Sequence, residues 1–180
     1  MSPRPVQLPD AALLMQALGI VGWSGSGKTT LLTALLPAFR GRGLRVSSIK
    51  HAHHRLTFDQ PGKDSFRHAE AGAEEVILAG PEGFALFNHA GPPDLQALLA
   101  RLAPVDLVLV EGFRDYRIPK LEVHRPALGH RPLWPEMEVM AVASDDALPS
   151  CPLPVFNLSD IAGMADIIIA SLGLDRDAGF

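Results

Sequence analysis

Gly22-Trp23-Ser24-Gly25-Ser26-Gly27-Lys28-Thr29, followed by Thr30, fits the spacing G-x-x-x-x-G-K-S/T at every position. The chemistry explains the spacing. Glycines let successive backbone N–H groups converge on phosphate oxygens without Cβ clashes. A helix opening near Lys28 adds its positive dipole end. Lys28 supplies a point charge to the β- and γ-phosphates, and the Thr29 hydroxyl offers one Mg²⁺ position. Trp23 cannot ligate phosphate; it is expected to cover a nucleotide or pack on a partner. The metal needs a carboxylate from a neighbouring strand, and Leu107-Val108-Leu109-Val110-Glu111-Gly112 supplies one. Glu111 ends a wholly apolar run, at the strand edge where open α/β sheets place their ligands. Asp106 begins the same strand and is read as structural.

A second group of reactive side chains lies between these two. Lys50-His51-Ala52-His53-His54 is followed by Asp59 and then by Pro61-Gly62-Lys63-Asp64-Ser65-Phe66-Arg67-His68. Three readings stand open for this loop. The His and Asp side chains can ligate a transition metal, or His51, Lys63 and Arg67 can hold a polyanionic second substrate. The loop can also be simply solvated. Asp59 and Asp64 are candidates for orienting metal-bound or attacking water, and Asp59 joins Thr29 and Glu111 as a candidate metal ligand. His89, His124 and His130 have no comparable neighbours and read as ordinary surface residues. Cys151, before Pro152, reads as inert.

These residues need elements to position them. Residues 18–21 read as a first strand, preceding the phosphate loop. A helical stripe of Leu31, Leu32, Leu35, Leu36 and Phe39 follows it. Strands are expected over 45–50, 75–79, 106–110, 120–125, 138–143 and 154–156, with a hairpin completed by 84–87 after the turn 81–83. A short helix is expected over 65–72 with Ser65 as N-cap. Leu95, Leu98, Leu99 and Leu102 mark another helix, and a last one runs from about Asp160 to Leu172. Strands alternating with helices predict an α/β three-layer P-loop sandwich with a mainly parallel sheet. The hairpin and residues 120–125 are expected to supply its antiparallel strands.

The chain has 180 residues, 47% hydrophobic and 20% charged, which fits neither a disordered nor a membrane protein. No apolar run approaches the ~18 residues of a membrane span. A net charge of −4 argues against a general nucleic-acid binder. One cysteine excludes an intrachain disulfide and a cysteine-cluster zinc site. Residues 1–14 carry three prolines and no secretory pattern. The expected organisation is a flexible arm over 1–14, one nucleotide-binding domain over 15–174, and a frayed tail over 175–180. The expected compartment is the cytoplasm.

Taken together, the phosphate loop, Ile49-Lys50-His51-Ala52-His53-His54, Pro61-Gly62-Lys63-Asp64-Ser65 with Arg67-His68, Ala71-Gly72-Ala73 and Val110-Glu111-Gly112-Phe113 resemble the MobB family of molybdopterin-guanine dinucleotide biosynthesis adapter proteins. Pro119-Lys120-Leu121-Glu122 and Ala143-Ser144-Asp145 are also similar, and coverage runs from about Met15 to Leu172 in family order. The resemblance implies a homodimeric protein that binds GTP with Mg²⁺ and is a weak GTPase at most. It implies a guanylyltransferase partner that joins GMP to the molybdenum-bound pterin, and a molybdopterin-type ligand for the His51/Lys63/Arg67 loop. Neither nucleic acid nor membrane is an expected partner. The familiar N/T-K-x-D guanine-reading motif is missing; Asp145 is the first substitute and Asp160 the second. The competing classes are a P-loop small-molecule kinase, with Arg114-Asp115-Tyr116-Arg117 as a short lid, and a metal-insertion GTPase.

Overall fold

Six parallel strands form the sheet that carries the phosphate loop, in the order β2-β5-β1-β6-β7-β8. They are β1 (Gln16–Val21), β2 (Val46–Lys50), β5 (Leu107–Glu111), β6 (Lys120–His124), β7 (Ala141–Ser144) and β8 (Val155–Asn157). The remaining pair, β3 (Glu75–Gly80) and β4 (Gly83–Asn88), is an antiparallel hairpin outside that sheet. The helices are α1 (Lys28–Gly41), α2 (Asp64–Glu70), α3 (Leu95–Arg101) and α4 (Ile161–Leu172). The computed structural model describes residues 15–52, 62–89, 91–92 and 94–175. Two compact units separate: one built from residues up to His51 and from Leu95 onward, the other from residues 52–94.

In the larger unit β5 is buried along its whole length, paired on one side with β1 and on the other with β2. Its unbroken apolar run is what a strand covered on both faces requires. Leu31, Leu32, Leu35 and Phe39 of α1 and Met164, Ala165 and Ile168 of α4 pack on one face of the sheet. Leu95 and Leu99 of α3 pack with Met15, Ile49, Val108 and Val110 on the other. A third cluster, with Val21, Leu133, Val139 and Val142, continues that second layer under residues 133–153.

Several expectations need correcting. Residues 120–124 are not antiparallel: β6 runs parallel to both β1 and β7. β7 begins at Ala141 rather than 138, because a turn through 134–136, closed by Glu136 N donating to Leu133 O, precedes it and pairing with β6 opens only with Met140 N donating to Lys120 O. Ser65 does not cap α2. The cap position is Lys63, Asp64 opens the helix, and Ser65 is buried inside it. His124 is no surface residue: every residue of β6 is buried. Lys120, Glu122 and His124 alternate along the strand, a pattern that resembles a solvated face but is here roofed by the chain after β6. The arm 1–14, His53, His54, Asp59, Pro61 and residues 176–180 lie outside the described residues. Among the described residues, no helix is long and apolar enough to cross a membrane.

Candidate functional site

The β1–α1 turn places the phosphate loop at the C-terminal end of a central strand, where the chain leaves toward β2 on one side and returns toward β6 on the other. Gly22 must be glycine. Its φ is 146°, and a Cβ there would lie 2.4 Å from Val123 O and 2.8 Å from Ser26 Oγ. Gly27, also left-handed at φ 100°, stands at the N-cap of α1, so Lys28 and Thr29 open the helix as expected. Ser26 N donates to Trp23 O at 3.2 Å, closing the turn. Lys28 Nζ donates to the same carbonyl at 2.8 Å. Burial holds the Lys28 ammonium below its usual pKa, Glu111 opposes that shift, and Lys50 adds to it.

Glu111 is buried, with 8% of its surface exposed, and stands in register with Lys50 on the neighbouring strand. The Thr29 hydroxyl lies 2.9 Å from both oxygens of its carboxylate. Lys50 Nζ donates to Thr29 Oγ1 at 3.0 Å and lies 3.3 Å from Glu111 Oε1. A hydroxyl and a carboxylate held this close are hard oxygen donors of the kind Mg²⁺ takes beside nucleotide phosphates. After Glu111 the chain turns through two left-handed residues, Gly112 at φ 95° and Phe113 at φ 51°. A Cβ on Gly112 would meet His51 Cβ at 2.7 Å. Phe113 stacks on His51 with ring centroids 4.4 Å apart, and His51 N donates to Glu111 O at 2.8 Å. His51 thus sits beside the carboxylate through its backbone.

Trp23 is engaged within the chain. Its Nε1 donates to Arg131 O at 2.8 Å and its ring stacks on His130 at 4.7 Å. Residues 130–134 are in turn pinned from below. Glu122, wholly buried, accepts from Leu133 N at 2.9 Å and from Trp134 N at 3.0 Å. Burial raises its pKa, and the two backbone N–H groups pull the other way. Asp145 follows β7 and pairs with Arg125 at 3.1 Å; Arg125 Nε donates to Ser26 O at 3.0 Å. Asp160 is committed locally, its side chain capping α4 through Gly163 N at 3.0 Å. Asp106 accepts from Arg45 N at 2.6 Å, the structural role expected of it.

Lys63, Asp64 and Arg67 belong to the smaller unit, where Arg67 and Asp64 approach at 4.0 Å on the surface of α2. Among the described residues, no group of three or more His, Cys, Asp or Glu side chains could hold a metal ion. Cys151 is half-buried and packs on the third cluster. Sequence reasoning missed Lys50 and Arg125. Each ends or directly follows a parallel strand at the edge where the phosphate loop opens, and that position was the signal available.

A parallel α/β sheet with this loop after a central strand and a carboxylate ending the adjacent strand defines the P-loop nucleoside-triphosphatase fold. The family described as molybdopterin guanine dinucleotide synthesis protein B matches residues 17–145. The chain belongs to that family. The molybdopterin-guanine dinucleotide biosynthesis adapter protein of Escherichia coli K12 is 40% identical over 87% of this chain and 93% of its own. Its counterpart in Haemophilus influenzae is 44% identical over 84% and 86% respectively. The crystal structure of a molybdopterin-guanine biosynthesis protein B superposes with a TM-score of 0.66 at 28% identity, covering 87% of this chain and 99% of that one.

Proposed function

We propose that the chain is a GTP-binding adapter in molybdopterin-guanine dinucleotide biosynthesis, acting in the cytoplasm beside a guanylyltransferase that joins GMP to molybdopterin. The observation that carries this reading is the meeting of Thr29, Glu111 and Lys50 at the head of the phosphate loop, in a chain of this family. The loop's backbone N–H groups and Lys28 hold the β- and γ-phosphates. Thr29 and Glu111 hold Mg²⁺, which neutralises phosphate charge when bound. Asp145 reads guanine, because one carboxylate accepts from the ring N–H and the exocyclic amino group together. Hydrolysis is slow: Arg125 is tied to Ser26 O and Asp145, and an arginine finger is worth about 10³–10⁵ in rate.

Titration of the full chain with GTP and with ATP, with and without a pterin guanylyltransferase, tests the reading. GTP should bind more tightly, and Lys28→Ala should abolish triphosphate affinity, since charge-assisted contacts are worth about 1.5–3 kcal/mol each. Equal affinities in parent and variant, or turnover near ~1 s⁻¹, would overturn it. Lys63 and Arg67 of the smaller unit are assigned to the phosphate of a molybdopterin-type ligand. Molybdopterin binding should weaken in a Lys63→Ala, Arg67→Ala double variant while GTP affinity is unchanged; parent affinity for molybdopterin would remove that assignment.

A further inference from the structure

Lys50 occupies an unusual position for a strand-end lysine. Its ammonium donates to the Thr29 hydroxyl at 3.0 Å and lies 3.3 Å from Glu111 Oε1, so it bridges the two groups that would hold the metal. The bridge is built by the fold. Parallel pairing sets Lys50 directly beside Glu111, and α1 delivers Thr29 from the other side. Lys28 is close enough for both Glu111 and Lys50 to act on it electrostatically. Lys50 thus pairs with the carboxylate directly, and the Lys28 ammonium lies within its electrostatic reach. A divalent cation entering this cluster without phosphate would meet net positive charge, whereas a triphosphate brings enough negative charge to accept both lysines and a metal.

We propose that Lys50 is a built-in cation at the metal locus: it holds Thr29 and Glu111 together in the nucleotide-free protein and keeps free divalent metal out until a polyphosphate arrives. The proposal rests on the nucleotide-and-metal reading of the site. Lys50 is a positioning residue, with its stem largely in solvent (59% of the side chain exposed), so its head can swing from Glu111 to an incoming phosphate without disturbing the core. It also imposes an order of events, nucleotide with or before metal, rather than metal first.

The test is made without nucleotide. Mn²⁺ serves as probe, its free concentration read by electron paramagnetic resonance during titration of the full chain. Lys50→Met, and independently Lys50→Gln, should raise Mn²⁺ affinity by about tenfold, as expected for removing a unit positive charge that repels a divalent ion across a partly solvated site. Lys50→Arg should remain close to the parent. Adding Glu111→Gln to Lys50→Met should abolish the gain, which locates the ion at this carboxylate. Unchanged or weaker Mn²⁺ binding in both neutral variants overturns the proposal. So does a gain that survives Glu111→Gln, or an equal gain in Lys50→Arg. Failure of the underlying reading would show separately, as a parent protein that binds no nucleotide.

Discussion

His124 is a buried imidazole, and burial alone gives it a measurable signature. Its Nδ1 lies 3.7 Å from Glu122 Oε1, beyond hydrogen-bond reach, and Trp134 meets its ring edge-on. Desolvation lowers its pKa, only partly countered by Asp145. The unfolded chain takes up that proton near pH ~6.5 while the folded chain resists it. The contribution of neutral His124 is therefore present above that pH and lost as pH falls. Glu122, its pKa raised by burial, works in the opposite sense: its cost as a carboxylate is relieved as pH falls toward its ordinary value. Replacing His124 alone separates the two. His124→Gln should close its melting-temperature gap to the parent between pH 7.5 and pH 5.5, and a gap that stays constant would show that His124 is not buried in its neutral form. The phosphate loop and Glu111 were legible in the sequence because local spacing encodes them. Lys50, Arg125 and buried Glu122 were not, because long polar side chains on strands read as solvated until register and the covering chain are known.

The elements themselves were largely legible where apolar periodicity was strong, as in α1, α4 and β5. Ends were less so. β6 and β7 were expected too long, because hydrogen-bond register, not composition, decides where a ladder stops. Among helix ends, α4 carries the clearest capping device. Asp160 accepts from Gly163 N at 3.0 Å, and Gly173 closes the other end in the left-handed conformation. The helix packs Met164, Ala165 and Ile168 into the same cluster as α1, so its first turn supports the layer beneath the phosphate loop. Asp160→Ala should cost about 1 kcal/mol, typical for loss of an N-cap, and lower the melting temperature by about 2–4 °C for a chain of this size. Asp160→Asn should recover most of that loss, since an amide oxygen caps as well. If Asp160 reads guanine instead, both variants would lose GTP affinity at unchanged stability. That outcome would move the base-reading role from Asp145 to the second candidate.

At the scale of the molecule, the division into two units was not legible, because the hairpin was expected inside the main sheet. Its residues alternate as strand residues do, but both kinds of position are apolar. Ile77 stands opposite Leu86, and Ala79 opposite Phe84, all on one face. That face is open: Ile77 is 65% exposed and Phe84 75%. On the other face Val76 is buried while Leu78 is 54% exposed. A lone two-stranded hairpin is marginal in water, and a contiguous exposed apolar patch marks an interaction surface. The homodimer that the family resemblance implies would give the patch an occupant, the equivalent hairpin of a second copy. Self-complementary apolar faces meet naturally about a two-fold axis. Sedimentation velocity of the full chain at tens of micromolar, a range of about 6–7 kcal/mol in dissociation free energy, should show a dimer. Ile77→Glu with Phe84→Glu should shift it to monomer, because two buried charges on each side would face each other unpaired. Leu128→Glu, at an exposed apolar residue of the larger unit, should leave the dimer intact. A parent that sediments as a monomer, or a hairpin variant that stays dimeric, would mean that the exposed face of β3 and β4 does not join two copies.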